Sequence, residues 1–260
     1  MQKTDIVIFG GQSNMQGQTE SRPLEPPVPG AREYRYRTDE LIPLAHPVGE
    51  DFGDLLLAAH EGHGSLLPSF CRAYLEGKGG EVVAVHAAKG ATILNDWKED
   101  GARYAFALRK ILAGVRKVGE ESEIGRIDYV WLQGESDALA GTSEEDYLSA
   151  LKEYKNALKR DVGISRFGIV RVGFFTAEEE RDRRIMRAQE RAAAEDGDFV
   201  VLTRLAGRLS RDPSFLNPFA AGHYGNAGME LLGRAAGSAL AKVALGEKDV
   251  ADEETVKDLF

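Results

Sequence analysis

The sequence predicts an α/β fold in which helices cover both faces of a parallel sheet. Short apolar runs, nearly continuous and rich in β-branched residues, alternate with longer amphipathic stretches, as expected for strands that are buried on both faces. Consecutive units of this kind form right-handed crossovers around one sheet. The five predicted strands are residues 5–9, 81–86, 127–133, 167–173 and 198–203.

The predicted helices lie between and after these strands, at residues 65–75, 104–118, 144–158, 177–194 and 226–245. Residues 19–64 interrupt the alternation with a proline-rich segment followed by a stretch rich in glycine, histidine and aspartate. Long loops inside regular domains are usually functional or mobile. We interpret this one as a loop or small hairpin over the site, with an unrelated surface insertion as the alternative. The charged tail, 246–260, is expected to dock as a short helix or to fray.

Composition narrows the possible functions. A chain of 260 residues that is 43% hydrophobic can bury one sizeable core, so we expect a single domain over residues 1–260. A net charge of −9 disfavours nucleic acid and anionic membranes as partners, because both are bound by concentrated lysine and arginine. A neutral or compact polar small molecule fits better.

Cysteine content and hydropathy bear on location. Cys71 is the single cysteine of the sequence, so neither an internal disulfide nor a thiolate metal cluster can form. No apolar run approaches the roughly 18 residues of a membrane span, and residues 1–12 lack the pattern of a signal peptide. We therefore expect a cytoplasmic protein, with a mature secreted form as the alternative.

A serine follows the first predicted strand in the segment FGGQSNMQG, residues 9–17. Ser13 therefore lies at the carboxyl end of a parallel strand, where α/β sheets bind ligands. The preceding glycines allow a sharp turn, and a helical turn after the serine would direct backbone N–H groups at developing negative charge. Neither nucleotide-binding fingerprint of glycines is present, so the pattern favours a nucleophilic serine over a phosphate loop.

Two further segments supply candidate donors for an oxyanion hole. Gly90 follows the second predicted strand and can bring its N–H close to a reacting carbonyl oxygen. Gln133 follows the third and offers a side-chain amide. Together with the N–H of Ser13 they would form a hole of three donors, each typically worth about 10²–10³ in rate.

Serine needs a general base, and histidine is the usual one. His223 lies in the loop NPFAAGHYGNAG, between the fifth predicted strand and the last predicted helix. Because that loop also lies at the carboxyl side of the sheet, Ser13 and His223 are expected to meet above it.

Four blocks together resemble a known family. The segments FGGQSNMQG, KGATIL, WLQGESDA and the His223 loop followed by GMELLGRAAG are similar, in order, to the motifs of the SGNH hydrolases. Within them they resemble the sialate O-acetylesterases and carbohydrate esterase family six, the acetylxylan-esterase-like group. The resemblance implies a three-layer α/β/α sandwich of flavodoxin-like type, with Ser13, Gly90 and Gln133 in the oxyanion hole.

One position departs from the family pattern. Many relatives carry an aspartate three residues before the catalytic histidine, where this chain has Ala220. An orienting acid only has to accept a hydrogen bond from the other ring nitrogen, so another group can replace it. Glu135 is the first candidate and completes the predicted catalytic set with Ser13 and His223. Asp212, Asp137 and a backbone carbonyl are the alternatives.

The remaining candidates concern the substrate. Gln12, Asn14, Thr92 and His63 are expected to line its pocket. His60 and His63 lie in a His-Glu-Gly-His segment that lacks the zincin form and a third ligand, so no metal is predicted. Glu135 has a structural alternative, as a helix cap or a partner of an arginine.

The sequence therefore predicts a serine esterase that removes acetyl groups from a carbohydrate or another small molecule, without a cofactor. One alternative is a descendant that binds carbohydrate without turnover, motivated by Ala220. The others are an esterase or thioesterase for another small acyl group, and a nucleotide- or flavin-binding domain.

Overall fold

The computed structural model of the protein describes residues 3–248, so most of the predicted tail lies outside the described residues. Within that range the strands are β1 (Lys3–Gly11), β2 (Ala31–Arg35), β3 (Glu40–Pro43), β4 (Glu81–Ala88), β5 (Glu123–Leu132), β6 (Arg166–Val170) and β7 (Phe199–Thr203). The helices are α1 (Ser13–Gln16), α2 (Leu67–Lys78), α3 (Ala102–Glu121), α4 (Glu135–Ala140), α5 (Glu144–Val162), α6 (Glu179–Glu195), α7 (Ala206–Leu209) and α8 (Asn226–Ala244). No helix in the described range is both long and apolar enough to cross a bilayer.

The strands form a single sheet in the order β3-β2-β4-β1-β5-β6-β7. β1 lies near the centre, paired in parallel with β4 on one side and β5 on the other. Neighbouring strands are parallel throughout, except that β3 runs antiparallel to β2. The predicted α/β sandwich around a largely parallel sheet is confirmed.

The number of strands differs from the prediction: the sheet has seven, not five. The two additional strands, β2 and β3, come from the long segment 19–64. This segment does contain a hairpin, but the hairpin extends the edge of the sheet, where Ala31–Glu33 pairs with Val82–Ala84.

The hairpin was not predicted as part of the sheet, because its strands are short and interleave charged with apolar residues. Glu33 is fully buried, which is unusual for a carboxylate without partners. Its carboxylate accepts hydrogen bonds from Arg35 and from the N–H of Gly49. These contacts make burial tolerable, and they are not visible in a pattern of apolar runs.

Handedness distributes the helices between the two faces. The chain moves from β1 to β4 in one direction through α2, and then back across β1 to β5, β6 and β7 through α3, α5 and α6. Right-handed crossovers in opposite directions place α2 on one face and α3, α5 and α6 on the other. α8 returns to the face of α2 and packs against it.

Glycines permit the close approach of α8 to α2. A Cβ atom at Gly237 would lie 2.2 Å from the carbonyl oxygen of Phe70, and one at Gly233 would lie 2.6 Å from that of Leu66. Both distances are too short for any side chain. The two helices are therefore in near backbone contact, and this contact fixes the start of α8 beside the site.

We predict that Gly237→Ala destabilises the fold by about 1–3 kcal/mol, because the overpacking exceeds the gain in helix propensity. Gly119 provides a matched control in α3, where a Cβ would meet its nearest neighbour at 3.6 Å. Gly119→Ala should be neutral or stabilising by up to about 1 kcal/mol. Urea denaturation measures both changes. Equal stability of the two variants would contradict the account of the α2–α8 contact.

Candidate active site

The candidate nucleophile lies where the central strand ends. β1 finishes at Gly11, whose φ of +142° favours glycine, and a Cβ there would lie 2.0 Å from the carbonyl oxygen of Leu132. The chain then turns into the short helix α1, which begins at Ser13. Ser13 retains 6% exposure, at the carboxyl end of the sheet. The close passage over β5 therefore sets its position.

The structure brings Ser13 and His223 together. Ser13 Oγ and His223 Nε2 are 2.9 Å apart, although 210 residues separate them in the sequence. The other ring nitrogen, Nδ1, lies 3.0 Å from the carbonyl oxygen of Ala221. A carbonyl oxygen only accepts, so Nδ1 carries the proton. In the neutral imidazole, Nε2 is then free to accept the proton of the serine hydroxyl.

The His223 loop is a compact turn. The N–H of His223 donates to the carbonyl of Ala220, and the N–H of Asn217 donates to the carbonyl of His223. The carbonyl that holds the imidazole therefore belongs to the same turn. It occupies the role that an aspartate at position 220 would otherwise fill.

Carboxylates do not hold the imidazole within the described residues. Glu135 accepts from Asn14, Asp137 accepts from Gln133 and the N–H of Leu94, and Asp212 caps its own short turn at Ser214. The predicted contact of Glu135 with His223 is thus absent from the structure. Its place one residue after Gly134, at the start of α4, directs it beneath Asn14 instead.

Asn14 links Glu135 to the histidine loop. Its Nδ2 donates to Glu135 Oε1 at 2.7 Å and to the carbonyl of Gly222 at 3.3 Å, while its Oδ1 accepts the N–H of Tyr224 at 3.3 Å. Asn14 therefore holds the residues on both sides of His223. Asn14 was predicted to line the substrate pocket. It is instead fully buried, and its hydrogen bonds hold the loop of His223.

Glu135 itself is almost completely buried, and its second oxygen, Oε2, has no hydrogen-bond partner. Burial raises the pKa of this carboxyl, while the hydrogen bond from Asn14 acts in the opposite direction. The side-chain hydrogen bond from Asn14 therefore orients this carboxyl.

Of the three predicted oxyanion donors, two are engaged inside the protein. The N–H of Gly90 donates to Gln16 Oε1 at 3.0 Å. Gln133 Nε2 donates to the carbonyl of Thr92 at 2.9 Å and to Asp137 Oδ2 at 2.5 Å. The N–H of Ser13 donates no backbone hydrogen bond in the described chain. Of the three predicted donors, the N–H of Ser13 is therefore the one left available for an oxyanion. The amide of Gln133 is directed at Thr92 and Asp137 instead.

Gly90 nevertheless lies against the nucleophile. A Cβ at this position would be 3.2 Å from Ser13 Cβ. Sequence reasoning located the glycine but missed Gln16, whose amide also donates to the carbonyl of Ala58 in the long loop. No pattern in the sequence distinguishes this glutamine from its neighbours.

The other predicted substrate residues fall into two groups. Thr92 is buried, and its hydroxyl donates to the carbonyl of Lys89 and accepts from Trp97, so it supports the loop from within. His63 is half-buried, bonded to the carbonyl of Thr19, and close enough to His223 to influence its charge. Phe175, which sequence reasoning did not select, lies edge-on to His223 with ring centroids 6.2 Å apart.

The pKa of His223 is lowered, chiefly because burial disfavours the charged imidazolium. His63 acts in the same direction through its charge, whereas the carbonyls of Ala221 and Ala220 act against it. The imidazole is consequently neutral near pH 7 and available as a base.

The chain is similar to known proteins in sequence and in fold. A sequence model of the carbohydrate esterase family described as sialic acid-specific acetylesterase matches residues 3–225. No curated protein sequence matches the chain. Three similar solved structures cover nearly all of it, and their identities of 9–19% make the likeness one of fold.

The first is a protein from Arabidopsis thaliana, with a TM-score of 0.73, 19% identity, and coverage of 94% of this chain and 98% of the other. NanS gives a TM-score of 0.66 at 13% identity, with coverage of 94% and 97%. Axe2, an acetyl-xylooligosaccharide esterase from Geobacillus, gives 0.50 at 9% identity, with coverage of 96% and 97%.

We predict that the acid limb of the profile of kcat/KM against pH has its midpoint below the ordinary histidine value of about 6.5. The neutral imidazole is the reactive form, so activity is lost as pH falls through the lowered pKa of His223. In His63→Gln the midpoint should move to higher pH, because the electrostatic influence of His63 that lowers the pKa of His223 is removed. Initial rates of acetate release over pH measure both, and a native midpoint above 6.5 would contradict the prediction.

Asn14→Asp should lower kcat by on the order of 10², because two carboxylates would face each other and the histidine loop would lose its donor. The double variant Asn14→Asp/Glu135→Gln reverses donor and acceptor and should recover part of the loss. Rates on p-nitrophenyl acetate at pH 8, with thermal melting as a control for folding, measure both. A single variant with native kcat would show that the brace has no catalytic consequence.

Proposed function

Because the chain belongs to the carbohydrate esterases described as sialic acid-specific acetylesterases, we propose that it hydrolyses O-acetyl esters of a carbohydrate through an acetyl-enzyme on Ser13. The observation that carries this proposal is the 2.9 Å contact between Ser13 Oγ and His223 Nε2 at the carboxyl end of the sheet. A hydroxyl bonded to an unprotonated ring nitrogen is the arrangement that acyl transfer requires.

In the first half of the reaction, Ser13 Oγ attacks the acetyl carbonyl carbon while His223 Nε2 takes the hydroxyl proton. The carbonyl oxygen becomes an oxyanion, towards which the N–H of Ser13 can donate. The bond between the carbonyl carbon and the sugar oxygen then breaks, and His223 returns the proton to that oxygen. The sugar leaves as an alcohol, and the acetyl group remains on Ser13.

In the second half, water attacks the acetyl-enzyme and His223 Nε2 takes a proton from it. The bond between Ser13 Oγ and the acetyl carbon breaks, the serine recovers its proton, and acetate leaves. Each step uses groups already present at the site, so the chain of events requires no cofactor.

The carbonyl of Ala221 replaces a carboxylate as the group that orients the base. It fixes the tautomer as an aspartate would, but it stabilises the imidazolium less because it carries no full charge. The lowered pKa of His223 is consistent with this difference. The base is therefore a weaker proton acceptor, but it is present in its reactive form over a wider range of pH.

The family description and the charge of the chain bear on the nature of the sugar. The family description names sialic acid, and the solved Axe2 acts on acetylated xylooligosaccharides. The net charge of −9 favours a neutral sugar over an anionic one, because long-range repulsion opposes an anion. We therefore propose an acetylated neutral oligosaccharide as the first substrate to test.

Acetate release from p-nitrophenyl acetate, an acetylated xylooligosaccharide and an O-acetylated sialic acid tests the proposal. We expect turnover by the native protein and a loss of at least about 10³ in kcat in Ser13→Ala and His223→Ala. Ser149→Ala, on the exposed face of α5, is the matched control and should retain activity. Sugar binding without turnover by the native protein would favour a non-catalytic carbohydrate-binding protein instead.

A further inference from the structure

The sequence predicts the side-chain amide of Gln133 as a donor to the oxyanion, but in the structure this amide is already engaged. The amide of Gln133 has both of its protons directed at protein acceptors, the carbonyl of Thr92 and Asp137. Its oxygen accepts from Tyr147, so the group is satisfied at both ends. Recruiting it would break two buried hydrogen bonds and leave the carboxylate of Asp137 and the carbonyl of Thr92 without this donor.

Gln12 lies next to the nucleophile, and its amide has a free donor. Gln12 is only 2% exposed. Its Oε1 accepts hydrogen bonds from the N–H of Ser136 at 3.1 Å and from the N–H of Gly134 at 3.4 Å. Nε2 donates to no protein group among residues 3–248. This nitrogen is also not completely enclosed by protein atoms. A buried amide therefore keeps an unpartnered nitrogen that solvent can reach.

The orientation of this amide is set by chemistry. Two backbone N–H groups approach one end of it, and only the oxygen can accept them, so the nitrogen must occupy the other end. The same two contacts clamp the side chain between the end of β1 and the start of α4. That position flanks Ser13, which begins the next turn.

We propose that Gln12 Nε2 donates a hydrogen bond to the oxyanion and so acts as a catalytic residue beside the N–H of Ser13. This inference rests on the proposed esterase function and assigns a role to a residue that was expected only to line the substrate pocket. A clamped amide suits the task, because a donor that is already oriented needs no reorganisation as charge develops. Gln133 then serves to support the loop that carries Thr92.

Two substitutions separate donation from structural support. Gln12→Glu keeps an oxygen for the N–H groups of Gly134 and Ser136 but removes the donor. Gln12→Met removes both functions without adding charge, so it controls for repulsion between Glu and the oxyanion. Both should lower kcat by about 10²–10³, with KM for p-nitrophenyl acetate within a few-fold of native.

A second readout depends on the oxyanion hole and not on deacylation. Diethyl 4-nitrophenyl phosphate reacts with the serine hydroxyl, releasing nitrophenolate and placing a polarised phosphoryl oxygen in the same hole. Its rate of reaction with Ser13, followed by nitrophenolate release, should fall in both variants by a factor similar to that for kcat. Thermal melting identifies any variant that does not fold.

The outcomes are distinct. If the native protein is active and either folded variant keeps the native kcat and phosphorylation rate, Gln12 does not donate to the oxyanion. If Gln12→Met is native-like and only Gln12→Glu is slow, the effect is one of charge, and the proposal is also overturned. If the native protein releases no acetate, the proposed function fails first, independently of Gln12.

Discussion

The hydrogen bond between Ser13 and His223 joins two segments that are 210 residues apart in the sequence, and the rest of the site depends on this contact. Ser13 is delivered by the central strand, and His223 by the turn before the last helix. Their meeting requires that α8 return to the sheet at one particular place. The close contact between α8 and α2, permitted by glycines, satisfies this requirement.

Burial is the second constraint, and it has consequences for three groups. It lowers the pKa of His223 and raises the pKa of Glu135, because in each case it disfavours the charged form. It also leaves Gln12 with its oxygen paired and its nitrogen free. The enclosed surroundings make every remaining polar contact stronger than it would be in water, so few contacts suffice to organise the site.

The sequence was sufficient to predict five of the seven strands, the long helices between and after them, and the meeting of Ser13 with His223. Those features depend on apolar periodicity and on the rule that carboxyl ends of parallel strands share an edge. The hairpin of β2 and β3 was not predicted as part of the sheet, because the burial of Glu33 depends on partners distant in sequence. The acceptor for His223 was left open between three carboxylates and a carbonyl, and the structure shows the carbonyl of Ala221.

The direction of amide groups was beyond sequence reasoning. Gln133 and Gly90 occupy the neighbourhood expected for oxyanion donors, but their donors point to Asp137 and Gln16. Which way an amide turns depends on the few groups within hydrogen-bond distance, and these come from separate parts of the chain. The sequence pattern alone therefore does not distinguish the amide of Gln12 from that of Gln133 as a donor.

The central claim is that a backbone carbonyl sets the tautomer of His223, with the proton on Nδ1 and Nε2 free to take the proton of Ser13. Nitrogen-15 NMR of the protein labelled at histidine, recorded well above the pKa of His223, measures this tautomer directly. The account predicts a neutral ring protonated at Nδ1. A neutral ring protonated at Nε2 would contradict it, because His223 could not then accept the serine proton.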